Sequence, residues 1–206
     1  MTWKWFLVLA SSLFWTTFLA AQEIPKSKAD EDKTQDAAVL EVVLVDLLSN
    51  PDSMSGWNKE TKKEIYFSTD VPSHGTQALE AAEILRPSDD KKLEKLSADQ
   101  LVSRREAAEH LVQRVGNKDV FKDFVPRDKR VRMYSKEERE KDEQRDFFNR
   151  LNDVFSAYSP GYSRNRELAI VHLSFRWSIH GAVGTYVLTK KKDGWIILLS
   201  DFIFFL

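Results

Sequence analysis

The residues best suited to chemistry lie in one stretch, FRWSIHGAVGTYVL, at positions 175–188. It places Ser178 two residues before His180, and a serine becomes a nucleophile when a histidine within about 3 Å accepts its proton. Residues two apart in an extended strand are about 7 Å apart, so the pair would need a tightly curled loop. The spacing therefore argues against a serine nucleophile. A hydrolase with His180 or His172 as its base stays the second hypothesis.

A row of polar side chains is predicted across the strands around this stretch. Alternate residues of a strand point to the same face, so parity assigns each side chain once the turns are fixed. We expect the first hairpin to close over residues 178–182 and the second to turn at Asp193-Gly194, a preferred hairpin dipeptide. A three-residue second turn would move Asp201 to the other face. The predicted row contains His172, Ser174, Arg176, Tyr186 and Asp201.

This row, with His180 beside it, is the candidate ligand-binding wall. Ligand pockets combine apolar walls with a few polar groups. The same register places five apolar residues on this face, namely Ile170, Leu188, Leu199, Ile203 and Phe205. The alternative is that this face is only the less buried side of the sheet, with ordinary polar residues.

No metal, cofactor or catalytic residue is predicted. The four histidines lack HxH or HxxxH spacing, and the chain has no cysteine. No GxSxG motif surrounds a serine. The absence of cysteine also excludes a disulfide framework and a thiolate nucleophile.

The elements that must position these residues predict an α+β fold, with N-terminal helices packed on a C-terminal antiparallel meander. Three apolar, β-branched and aromatic runs follow one another after residue 166, and EIYFST at 64–69 is a further strand. Helices are expected from Asp36, from the capping box SADQ at 97–100, and from the capping box SKEE at 135–138 through the apolar residues up to Phe155.

The N-terminus has the layout of a secretory signal peptide over residues 1–21, with Lys4 before an apolar run and small residues at its end. Residues 22–35 are polar and charged, which predicts a disordered linker. Residues 36–206 then form a single α+β domain. We expect a secreted or periplasmic protein; if the segment stays uncleaved, a membrane-anchored scaffold is the alternative.

The formal net charge of −1 gives no reason to expect nucleic acid or an anionic membrane as a partner, because both require a basic excess. Once a signal peptide is removed, we expect no membrane contact. The expected role is non-catalytic binding of a small ligand or a protein partner.

The tail from Phe147 resembles the ends of many uncharacterised exported bacterial proteins. The resemblance rests on an aromatic-rich segment, a strand such as ELAIVHLSF, a GTYVL strand and a DGW turn before the last strand. It implies no established activity. The order of helices before a curled sheet is also similar in architecture to the nuclear transport factor 2 superfamily, which implies a fold and no function.

Overall fold

Three α-helices and seven strands form the part of the chain that the computed structural model describes. Described are residues 28–49, 64–69, 84–85, 90–115, 121, 123–145, 154–177 and 180–205, without the side chains of 28–31, 90, 176, 177, 180, 204 and 205. The helices are α1 (Lys28–Ser49), α2 (Ala98–Arg114) and α3 (Lys136–Glu143), with a 3₁₀ helix at Asp90–Lys95. The strands are β1 (Ile65–Ser68), β2 (Val131–Met133), β3 (Val154–Ala157), β4 (Gly161–Tyr162), β5 (Leu168–Trp177), β6 (His180–Lys191) and β7 (Gly194–Phe205).

The strands form one mixed sheet in the order β2-β1-β3-β5-β6-β7, and β4 pairs with β5 beside β3. The last three long strands are the expected antiparallel meander. β1 lies parallel to both β2 and β3, which extends the sheet beyond the meander. The predicted fold class is confirmed, and the sheet is larger than the C-terminal sequence alone indicates.

Both faces of the sheet carry a hydrophobic core. Odd-numbered residues of β5, such as Val171 and Leu173, pack with one side of α1. Even-numbered Ile170 packs with the buried face of α2 around Ala108 and Leu111. The molecule is therefore layered, with α1 on one face of the sheet and α2 on the other.

Helix α2 begins where the sequence predicts. The Ser97 side chain accepts a hydrogen bond from the backbone N–H of Gln100, and the Gln100 side chain accepts one from the Ser97 N–H, which completes the capping box. Helix α1 begins earlier than predicted, at Lys28 instead of Asp36. The linker prediction is therefore wrong for residues 28–35, which belong to the helix.

The predicted helix from Ser135 to Phe155 is also wrong at its end. Ser135 does cap a helix, but α3 ends at Glu143, and Val154 and Phe155 lie in β3. The aromatic side chain there belongs to a buried strand and not to a helix face, since Phe155 is 1% exposed and packs on Phe175.

The hairpin between β5 and β6 is tighter than predicted, and this changes which side chains of β6 lie on each face of the sheet. Trp177 pairs with His180, so Ser174 lies opposite Val183 and not opposite Tyr186. The shift from the predicted register is three residues. An odd shift moves every side chain of β6 to the other face of the sheet.

The second hairpin is also shifted. Lys191 pairs with Gly194, which has a φ of 128° that favours glycine, and a β-bulge interrupts the ladder next to Leu188. Asp201 consequently lies opposite Thr185 and not opposite Tyr186.

The predicted signal peptide lies outside the described residues. Within the described part of the chain, no helix is both long and apolar enough to cross a membrane.

Candidate functional site

The predicted polar row is only partly assembled. His172, Thr185 and Asp201 stand side by side across β5, β6 and β7 on the face covered by α2. Tyr186 is on the opposite face, fully buried in the core beside α1, where its hydroxyl donates to Asp46 at 2.9 Å. Its predicted place in the row is wrong because of the register shift.

Each member of the observed row has protein partners. The ring Nδ1 of His172 lies 2.9 Å from the hydroxyl of Thr185, and the ring stacks on Tyr158. The ammonium of Lys92 pairs with Asp201 and also donates to the carbonyl of Ser200. Burial lowers the pKa of His172 to about 4. A general base works best with a pKa near the working pH, so His172 is a poor base at neutral pH.

The other predicted site residues do not join this row through described contacts. Ser174 is half-buried and shares a hydrogen bond with Ser156 at 3.2 Å. Arg176 pairs along the backbone with Gly181, and His180 pairs with Trp177, but the side chains of Arg176 and His180 are not described. The predicted places of the Arg176 and His180 side chains at this wall therefore stay untested. Leu188, expected on this face, packs in the core beside α1.

A cleft lies elsewhere, between α2 and the segment that joins β4 to β5. Its volume is about 330 Å³, at the lower end of the range for small-molecule sites. Helix α2 contributes polar residues three or four apart, which therefore share one face. The lining residues are Glu106, Glu109, His110, Gln113, Tyr162, Ser163, Arg164 and Arg166.

A buried ionic network holds the floor of this cleft. Asp36 of α1 is fully buried and receives two hydrogen bonds from the Arg114 guanidinium, at 3.0 and 2.7 Å. The hydroxyl of Tyr162 donates to the same carboxylate at 2.8 Å. Burial and then the charge of Asp36 raise the pKa of Tyr162. Arg114 also donates to the carbonyl of Pro160. Residues of α1, α2 and β4 thus meet at the carboxylate of Asp36.

The electrostatics of Arg114 show that this pair is well matched. Burial lowers the pKa of the guanidinium, but hydrogen bonds to Asp36 and the charge of Asp36 outweigh burial, and the net pKa shift is upward. A buried charge is tolerated when it is paired and hydrogen-bonded. The floor of the cleft is thus fixed in position before any ligand arrives.

His110 is held in one tautomer at the side of the cleft. The backbone N–H of Tyr162 donates to His110 Nδ1 at 3.0 Å, so Nδ1 carries no proton and the neutral ring carries its proton on Nε2. Burial, and then the charges of Arg114 and Arg166, lower the pKa of His110. A neutral imidazole with an Nε2–H donor therefore lines the cleft.

Arg166, which also lines the cleft, has an unusual backbone. Its φ of 60° is in the left-handed region, which costs a non-glycine residue of order 1–3 kcal/mol. A hydrogen bond from its N–H to the carbonyl of Ser163 holds this turn. The guanidinium lies over the Tyr162 ring at 4.9 Å, and its Nη1 lies 2.8 Å from Asp32, with the N–H directed too poorly for a hydrogen bond. Backbone strain of this kind clusters at functional sites.

No protein-family model, curated protein or solved structure matches this chain. The resemblances to exported bacterial proteins and to the nuclear transport factor 2 superfamily therefore stay predictions. Among the described residues, no group of three or more acidic or histidine side chains is arranged to hold a metal ion.

Sequence reasoning missed the cleft, although two signals for it were present. Asp36 lies four residues before Leu40, on the apolar stripe of α1, and an acidic residue on a buried stripe requires a buried partner. The segment YSPGYSRNRE at 158–167 is rich in turn residues and cations. Its partner could not be identified, because Asp36 and Tyr162 are 126 residues apart in the chain.

Proposed function

We propose that the protein binds a small polar ligand, without chemical conversion, in the cleft between α2 and the β4–β5 segment. The observation that carries this proposal is a polar cleft whose floor is fixed by the buried Asp36–Arg114–Tyr162 network. Fixed polar groups at a concave surface favour binding because little is lost in ordering them. The N-terminal pattern of residues 1–21 supports an extracytoplasmic setting for this binding.

Non-catalytic binding is favoured over a histidine-dependent hydrolase. His110 is neutral, and its Nδ1 already accepts a hydrogen bond from the backbone. The hydroxyl of Ser163 donates to Asn165 at 2.7 Å and accepts from the N–H of Leu168 at 3.0 Å. A nucleophile requires a base in hydrogen-bond reach. No described histidine nitrogen is bonded to the Ser163 hydroxyl, so this serine has no such base among the described residues.

The test is a thermal-shift screen of small polar compounds on three proteins. The wild type is compared with Gln113→Trp, which places an indole in the cleft from an exposed position, and with Gln144→Trp, the same change at the exposed end of α3. We expect compounds that raise the melting temperature of the wild type and of Gln144→Trp, but not of Gln113→Trp. Stabilisation follows the logarithm of ligand concentration over Kd.

Two results would count against the proposal. Either no compound stabilises the wild type, or the compounds that do so stabilise Gln113→Trp equally well. The second result would place the ligand outside the cleft.

A further inference from the structure

The groups of the cleft that have no partner among the described residues indicate the chemistry of its ligand. The Tyr162 hydroxyl is used by Asp36, and the Ser163 hydroxyl by Asn165 and Leu168. Both carboxylate oxygens of Glu106 are used by Arg164, one by its guanidinium at 3.2 Å and one by its backbone N–H at 3.1 Å. These residues shape the cleft, and their polar side-chain atoms already form hydrogen bonds or ion pairs within the protein.

Hydrogen-bond donors remain on His110 of α2 and on Arg166 of the β4–β5 segment. Among the described residues, Nε2–H of His110 has no hydrogen-bond partner, and the Nε and Nη2 groups of Arg166 have none either. Arg166 is half-buried and pairs with Asp32 through Nη1, which leaves the Nε and Nη2 edge of its guanidinium for a further acceptor. A guanidinium edge and an imidazole N–H beside the same Tyr162 ring match the acceptor oxygens of a carboxylate.

An acceptor remains on α2, one residue before His110. Within the described part of the chain, the carboxylate of Glu109 pairs only with Arg105, at 3.8 Å, and both side chains are more than half exposed. Such an exposed pair contributes little, so Glu109 is free to receive a cation. Gln113, one turn further along α2, adds an amide with no partner in the described residues and can donate or accept.

The formal charges of the lining residues balance, which favours a ligand of no net charge over a simple anion or cation. Two glutamates face two arginines, and His110 is neutral. A plain anion would bring its charge next to Glu109, and a plain cation would bring its charge next to Arg166. A ligand that carries both charges at separate ends meets an opposite charge at each end.

From these contacts we infer that the ligand is a small zwitterion with a carboxylate and an ammonium group, of the size of an amino acid or dipeptide. The inference rests on the proposed function and specifies its ligand. The carboxylate lies toward His110 and Arg166, and the ammonium lies toward Glu109. Ser163 and Tyr162 form the floor between them.

The test uses the full chain with two zwitterions and with two dipeptides that each lack one charged end. L-alanine and L-alanyl-L-alanine are titrated by calorimetry and NMR, together with N-acetyl-L-alanyl-L-alanine, which lacks the ammonium, and L-alanyl-L-alaninamide, which lacks the carboxylate. We expect at least one uncapped zwitterion to bind and each cap to weaken the binding of the dipeptide about tenfold, which corresponds to about 1.4 kcal/mol per lost charge pair.

A variant that removes the charge of Glu109 tests which end of the ligand lies beside it. Glu109→Gln is expected to weaken the uncapped ligand and the amide about tenfold and to leave the weak binding of the N-acetyl form unchanged. Glu94→Gln removes an exposed carboxylate from the 3₁₀ helix and serves as the matched control, with no expected change.

The possible failures are distinguishable. If the capped dipeptides bind in the cleft as tightly as the free one, the zwitterion inference is wrong and binding in the cleft stands. If neither zwitterion binds while another compound stabilises the wild type but not Gln113→Trp, the ligand class is again wrong and the proposed function stands. If Gln113→Trp leaves the zwitterion affinity unchanged, both are wrong.

Discussion

Asp36 is the residue on which the cleft most depends, because its carboxylate connects α1, α2 and β4. It is fully buried, and the side chain of its partner Arg114 is 13% exposed. An ion pair at this depth gives little net stability against an apolar replacement, but removing one partner leaves a buried charge without compensation. The pair therefore acts chiefly by fixing how the three elements meet.

Replacement of Asp36 by Asn is expected to destabilise the protein by about 3 kcal/mol, because the Arg114 guanidinium would stay buried without its counter-ion. Urea unfolding at neutral pH measures the change. Asp128→Asn is the control, since that carboxylate pairs with Arg130 at the surface, where ion pairs contribute little. An equal loss in the two variants would contradict the role given to Asp36.

His172 makes the stability of the fold depend on pH. Its pKa in the folded protein is about 4, against about 6.5 in an unfolded chain. Between these values the unfolded state binds a proton and the folded state does not, so stability is full above pH 6.5 and falls as the pH decreases toward 4. His110 acts in the same direction.

A comparison of the wild type with His172→Gln isolates the contribution of His172, since glutamine keeps a hydrogen-bonding group opposite Thr185 and does not titrate. We expect the unfolding free energy of the wild type to fall by about 2 kcal/mol more than that of the variant between pH 7 and 4.5. Urea unfolding at each pH measures this. Parallel curves would show that His172 has an ordinary pKa.

At the scale of elements, the sequence predicted the strands and the α2 cap better than their pairing. Alternation and composition identify β5, β6 and β7, and the Ser97 capping box marks the start of α2. The geometry of the two turns set the pairing register of these strands. The closer pairing of Trp177 with His180 put Tyr186 in the α1 core, and the bulge near Leu188 set Asp201 beside Thr185. Neither turn length nor bulge position can be read from alternation alone.

The contact of β4 with α2 is as close as backbone allows, and it forms one edge of the cleft. A Cβ at Gly161 would lie 2.6 Å from the Cβ of Leu111 and would collide with the carbonyl oxygen of Ala107. The next residue, Tyr162, donates its N–H to His110. The glycine is therefore required for the spacing that fixes the histidine.

Gly161→Ala is expected to cost about 1–3 kcal/mol through overpacking and to displace the Tyr162 N–H from His110. Urea unfolding gives the cost, and the ring nitrogen NMR shifts of His110 report the lost hydrogen bond. The control is Gly194→Ala, where the methyl group meets open space and only the backbone φ of 128° opposes it. This control should lose stability without any change at His110; an unchanged His110 in Gly161→Ala would contradict the packing argument.

At the scale of the whole molecule, the fold class could be predicted because local patterns define it, whereas the cleft could not. The cleft requires Asp36 of α1, Arg114 of α2 and Tyr162 of β4 to meet, and the Asp36–Arg114 pair spans 78 residues. Side chains that combine only in the tertiary structure leave weak traces in a single sequence. The predicted wall on the sheet failed for the related reason that one register shift redistributes a whole strand.

The extracytoplasmic setting is testable by intact mass. Expression in a host with a secretory pathway is expected to yield a protein that lacks residues 1–21 and begins at Gln22. A change of Ala21 to a bulky residue should slow the cleavage, because signal peptidases require small residues at the cut. An exported protein that keeps Met1 would support the membrane-anchored alternative.

NMR mapping of the bound ligand shows directly whether the cleft between α2 and the β4–β5 segment is the binding site. Amide resonances of the full chain are followed while the strongest stabilising compound is titrated. We expect the largest shifts at the cleft, in particular at Glu109, His110, Gln113 and Arg164, and their loss in Gln113→Trp. Shifts centred on His172, Thr185 and Asp201 would instead place the ligand on the sheet row, and the cleft would then not be the binding site.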